Sequence, residues 1–170
     1  MTFDEMREKE IELFIIEFNK GSQLDRSFKR SNLCKEQKIE FRKELVKSCK
    51  RLLEKVDNNT LKNVHIRKEI SNLEKIDKKI SFGQAQKVIN VCLKQYCFLM
   101  NKSKLIKELD CPLDSTTMQD CGVNNKSMYN VEREDYIKYQ KIFKKKSKVK
   151  IFRDIDYDVI RIENFYKLEK

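Results

Sequence analysis

"SFGQAQKVINVCLKQYCFLM", residues 81–100, is the most hydrophobic stretch of a very basic chain, yet it keeps Lys87, Asn90 and Lys94 in its middle. Ala85, Val88, Ile89, Cys92, Leu93, Tyr96, Leu99 and Met100 recur at helical spacing, which predicts one buried helix with Ser81 as its N-cap. At 100° per residue, Gly83, Lys87, Asn90 and Lys94 fall within about 60° of one another and form a polar stripe. An ordinary solvated stripe on this protein would mix Glu with Lys, but residues 82–100 contain no acid. Gly83 leaves the helix entrance bare, so another backbone or a phosphate can approach closely there.

The rest of the chain reads as helices around this one. With 170 residues it has enough length for a single domain, residues 1–170, with its own core. Three Gly and one Pro are too few for the tight turns of an all-β protein. Apolar spacing predicts helices over 4–19, with Leu13, Phe14, Ile15 and Phe18 apolar, and over 34–56, with Phe41, Leu45, Cys49, Leu52 and Val56 on one face. Asp57-Asn58-Asn59 breaks the second helix, and Thr60 is the expected cap of a third, anchored by Leu61, Val64, Ile70 and Leu73. Residues 101–111 read as a polar connection. Asp114 and Ser115 can cap a short helix to about Asp120, and "CGVNNKSMYN" is a loop. "VEREDYIKYQKIFKKK" is helical, with Tyr136, Tyr139, Gln140 and Phe143 on one side. The tail, from Ile151 to Tyr166, fits a helix better than an isolated strand. The expected fold is therefore all-α, one compact multi-helix domain.

Charge narrows the partners. The net charge is +11 and uneven: residues 1–20 hold six acids against three bases, and residues 26–55 hold eleven bases against four acids. "FKKKSKVK", 143–150, carries Lys144, Lys145 and Lys146 and no acid. Such a surface favours a polyanion through counterion release, so nucleic acid is the expected partner. No apolar run reaches the roughly eighteen residues of a membrane helix, and the charged start "MTFDEMREKE" is unlike a secretory signal. The expectation is a cytoplasmic protein without a membrane partner. Six cysteines form no C-x-x-C, and His65 is the only histidine. No metal site or cofactor is therefore expected, and the thiols read as reduced and mostly buried. Asp154, Asp156 and Asp158 in "DIDYD" offer hard oxygen ligands, but on a helix they do not share a face.

"GQAQKVIN" has the spacing G-x-x-x-K-x-x-N, and "CPLDS" follows it. Together these segments resemble the core of the helix-hairpin-helix DNA glycosylases of the endonuclease-III-like superfamily. They are also similar to a group of small prokaryotic proteins with a G-x-A-x-K-x-x-N helix and a P-L-D-S segment. The resemblance covers about 83–118. It implies a helix-hairpin-helix glycosylase-like fold, with Lys87 as catalytic lysine, Asp114 as catalytic aspartate and Gly83 as a hairpin glycine. This chain departs from the pattern in offering one glycine instead of two, in its 27-residue gap from Lys87 to Asp114, and in Thr116 where a His is common.

In that chemistry an amine attacks C1′ of a flipped nucleotide, and a carboxylate steadies the positive charge developing on the sugar. Gly83, Gln84, Gln86, Asn90, Lys94, Lys144, Lys145 and Lys146 are then the residues expected at the nucleic acid. Tyr96, Tyr136, Tyr139, Phe152 and Tyr157 are candidates for the walls of a base pocket. The competing expectation is a non-catalytic basic helical protein that holds nucleic acid or an acidic protein. Under it, Lys87 is a surface or phosphate-contacting lysine and Asp114 merely a cap.

Overall fold

A computed structural model describes residues 2–21, 31–124, 127–147, 150–151 and Val159. The helices among them are α1 (Phe3–Gly21), α2 (Lys35–Asp57), α3 (Asn63–Glu74), α4 (Phe82–Leu99), α5 (Ser115–Gln119) and α6 (Arg133–Lys146). Two 3₁₀ turns, Ser103–Glu108 and Met128–Asn130, lie between the later helices. No strand occurs among the described residues, and the fold is all-α.

α2 buries Phe41, Leu45, Cys49, Leu52 and Val56, the five residues its spacing selects, together with Ser48 and Leu53. It stops where Asn59 takes a left-handed φ of 54°. That conformation lets the Thr60 and Leu61 amides both donate to the Lys55 carbonyl, at 2.8 and 3.1 Å. Thr60 therefore closes α2 and does not open α3, whose N-cap is Lys62.

α4 begins as its sequence predicts. Ser81 Oγ accepts from the Gln84 amide at 3.2 Å, and Gln84 Oε1 accepts from the Ser81 amide at 2.9 Å. Asn101, with φ 51°, ends it. The packed part of α4 stops at Cys97. Leu99 and Met100, expected inside, are 69% and 47% exposed.

α4 packs against α3 and α2, and α1 lies against α2 and α4. α1 contributes Ile15 to the core, and Phe14 meets Tyr96 edge-on at 5.9 Å. At the far end of α2, Asp57 accepts from Arg7 at 2.9 Å and from the Tyr96 hydroxyl at 3.0 Å, joining three helices. The described buried apolar residues form one cluster, from Ile15 to Ile151. Each fully buried Leu, Ile or Phe in it contributes about 1.5–3 kcal/mol.

Cys49, Cys92, Cys97 and Cys111 are buried free thiols. Among the described residues, no three His, Cys, Asp or Glu are grouped to hold a metal ion. None of the described helices is long and apolar enough to cross a membrane. The expected tail helix lies outside the described residues apart from Ile151 and Val159, and with it Phe152, Asp154, Asp156, Tyr157 and Asp158.

Candidate functional site

The polar stripe of α4 faces the segment that runs from Leu109 to Asp114. This segment has no regular secondary structure, and Leu109 to Leu113 are all buried. Its buried peptide groups need partners, and two glutamines supply them. Gln86 on α4 donates from Nε2 to the Leu113 carbonyl at 2.8 Å, and its Oε1 accepts from the Leu113 amide at 3.0 Å. Gln140 on α6 does the same for Cys111: Nε2 donates to the carbonyl at 2.8 Å, and Oε1 accepts from the amide at 2.9 Å. Side-chain amides thus stand where a neighbouring strand would. Between them Pro112 needs no donor partner, and its carbonyl accepts from Thr117 Oγ1 at 3.0 Å.

This clamp fixes the orientation of Asn90. Gln86 Oε1 must face the Leu113 amide, so it can only accept, and Asn90 Nδ2 donates to it at 3.3 Å. Nδ2 also donates to the Tyr136 hydroxyl at 2.8 Å, which donates in turn to Asp110 Oδ2 at 2.9 Å. Burial and then the adjacent Asp110 push the Tyr136 hydroxyl well above its usual pKa, so it keeps the proton it donates. Asp110 is fully buried and is met by Arg67 Nε at 3.5 Å and by Lys150 Nζ. Asn90 Oδ1 is buried and has no hydrogen-bond partner among the described residues.

Lys87 lies one turn along the stripe, at the other end of the clamped segment. Its Nζ is 3.3 Å from Asp114 Oδ2, with side-chain exposures of 21% and 17%. Asp114 caps α5 as its sequence predicts. Oδ1 accepts from the Thr116 and Thr117 amides, each at 3.0 Å, and Thr117 Oγ1 accepts from the Asp114 amide at 2.9 Å. With Oδ1 engaged in the cap, Oδ2 is the oxygen that meets Lys87. Burial opposes ionisation of Asp114, but Lys87 and the Thr117 amide outweigh it and hold the carboxyl below its usual range.

The structure therefore brings Lys87 and Asp114 together and takes most of the remaining stripe off the surface. Gly83, Gln84, Gln86, Asn90 and Lys94 are buried, so the expected nucleic-acid contacts on α4 are not presented to solvent. Gly83 is approached by a backbone, not a phosphate: a Cβ there would overlap the Met128 carbonyl oxygen. Gln84 Nε2 donates to Ser31 at 2.7 Å. Among the expected base-pocket residues, Tyr96, Tyr136 and Tyr139 are core residues.

Lys144, Lys145 and Lys146 are exposed, and Lys146 Nζ donates to the Asp120 carbonyl. Lys138 and Lys141 are exposed on the same helix, and with Lys145 they form a stripe at i, i+3 and i+7. The sequence reading missed this stripe because it followed the run of consecutive lysines instead of the helical period. It also missed Gln140 as the partner of Cys111 in "CPL", since nothing local marks a pairing across 29 residues.

No protein-family model, curated protein or solved structure matches the chain.

Proposed function

We propose that this is a nucleic-acid-binding protein whose contact surface is the lysine face of α6, and that the Lys87–Asp114 pair holds the fold together there without performing chemistry. The observation that carries the reading is the charge on that helix. Lys138, Lys141, Lys144 and Lys145 are exposed and have no carboxylate partner among the described residues, on a chain of net charge +11. Lysines without intramolecular partners can neutralise phosphates and release the counterions condensed on the nucleic acid. Lys87 differs from them: its charge is already matched by Asp114, and α5 depends on the same carboxylate for its cap. The reading is tested by the salt dependence of duplex binding. Replacing Lys141, Lys144 and Lys145 together by Gln should weaken binding on all sequences alike and flatten the dependence. Binding unchanged by the triple replacement sinks this assignment of the surface.

A second reading, a helix-hairpin-helix glycosylase-like lyase, is favoured by one observation: the lysine and aspartate that the resemblance selects are 27 residues apart in sequence and 3.3 Å apart in space. In that reading α3 and α4 form the hairpin pair, and Asp114 releases the Lys87 amine when substrate enters. Borohydride should then trap a covalent adduct with abasic duplex that Lys87→Ala abolishes. Equal yields from wild type and Lys87→Ala would remove it.

A further inference from the structure

A cleft of about 460 Å³ opens between α3 and the start of α6. Arg67, Lys68, Lys75 and Arg133 stand around it, over a floor that includes Phe82 and Tyr136, and no carboxylate lines it. Arg67, Lys68 and Ser71 of α3 and Lys75 at its C-cap share one helical face, at i, i+1, i+4 and i+8. Two nearby clefts are different: one carries Glu54 and Glu69, the other Glu74, Glu132 and Glu134. We propose that the acid-free cleft binds the terminal phosphate of a nucleotide, whether of a free nucleotide or of a nucleic-acid strand end. The strand-end version rests on the nucleic-acid reading above.

Charge and preorganisation argue for a terminal phosphate over an internal one. Four cations converge on one concave site, while a bridging phosphodiester brings a single negative charge. A phosphate monoester brings about −1.5 to −2 and three acceptor oxygens. Both arginines are held from behind. Arg67 Nε faces the buried Asp110 at 3.5 Å, which leaves its terminal amino groups for a ligand. Arg133 donates one amino group to Ser71 Oγ, and Ser71 is itself fixed to the Arg67 carbonyl at 2.9 Å. Guanidinium groups oriented before the ligand arrives lose little freedom on making paired bonds to phosphate oxygens. Asp110 does not repel the ligand from below, because it lies behind Tyr136 with Lys150 and Arg67 on its oxygens. The apolar floor and the volume suit the sugar and ring that follow such a phosphate.

The test compares short single strands that differ only in a 5′-phosphate or a 5′-hydroxyl, by fluorescence anisotropy, with adenosine monophosphate and adenosine as competitors. The full chain is used, beside a variant carrying Lys68→Gln, Lys75→Gln and Arg133→Gln. These are surface positions, so the variant keeps the Arg67–Asp110 contact. The phosphorylated strand should bind about tenfold tighter than the hydroxyl strand, and the variant should lose that preference. Direct binding of a fluorescently labelled adenosine monophosphate, lost in the variant, with neither strand bound, supports the site for free nucleotides and removes the nucleic-acid reading. Equal binding of the two strands, with no competition by the monophosphate, overturns the site while leaving the α6 surface standing.

Discussion

Two residues of the quoted stretch and its partner segment show what the polar positions do. Gly83 has no Cβ because the Met128 carbonyl occupies its place. Gly83→Ala should therefore cost about 2–3 kcal/mol in urea unfolding, since backbone must move to admit it. A change below about 0.5 kcal/mol would mean the approach is not tight. Asp114 carries both a helix cap and an ion pair, and pH separates the two. Its carboxyl sits below the usual range in the folded protein, so its ionic contribution is present above the unfolded value of about 3.9 and is lost as pH falls through the folded value. Asn can still cap α5. Asp114→Asn should thus lower stability by about 1–2 kcal/mol at pH 7. The deficit should shrink as pH drops below about 4. A deficit that stays constant with pH would leave Lys87 out of the account.

At the scale of elements, Gln86 on α4 and Gln140 on α6 hold one buried extended segment between two helices. Gln86→Leu strands both peptide groups of Leu113, and Gln140→Leu those of Cys111. Each should cost about 2–4 kcal/mol and speed hydrogen exchange at its own clamped amide first. Exchange that rises equally across α2 and α4 would instead indicate general loosening. The helices themselves were legible in the sequence. The five apolar positions of α2 and the caps at Ser81 and Asp114 follow from spacing and side-chain chemistry. The start of α3 was misplaced because Thr60 looks like a cap but serves the end of α2. The 3₁₀ turn at Ser103–Glu108 read as connection, since its short period leaves no apolar stripe to follow. The clamp was invisible for a different reason: a glutamine's preference for distant backbone has no local signature, so Gln86 read as a nucleic-acid contact and Gln140 as one member of a helix face.

Across the whole molecule, the sequence showed a charge excess but not where it is left unmatched. Part of the cationic charge is spent internally: Arg7 on Asp57, Lys50 on Glu12, Arg51 on Glu69, Lys150 on Asp110, and Lys87 on Asp114. The lysines of α6 remain, and the nucleic-acid reading depends on them. The decisive experiment is duplex binding against salt for wild type, for Lys141→Gln/Lys144→Gln/Lys145→Gln, and for Lys87→Ala. About four to six phosphate contacts predict a log–log slope near −4 to −5 for wild type, flattened by about two to three in the triple variant and nearly unchanged in Lys87→Ala. A slope that Lys87→Ala flattens and the triple variant does not would contradict the account.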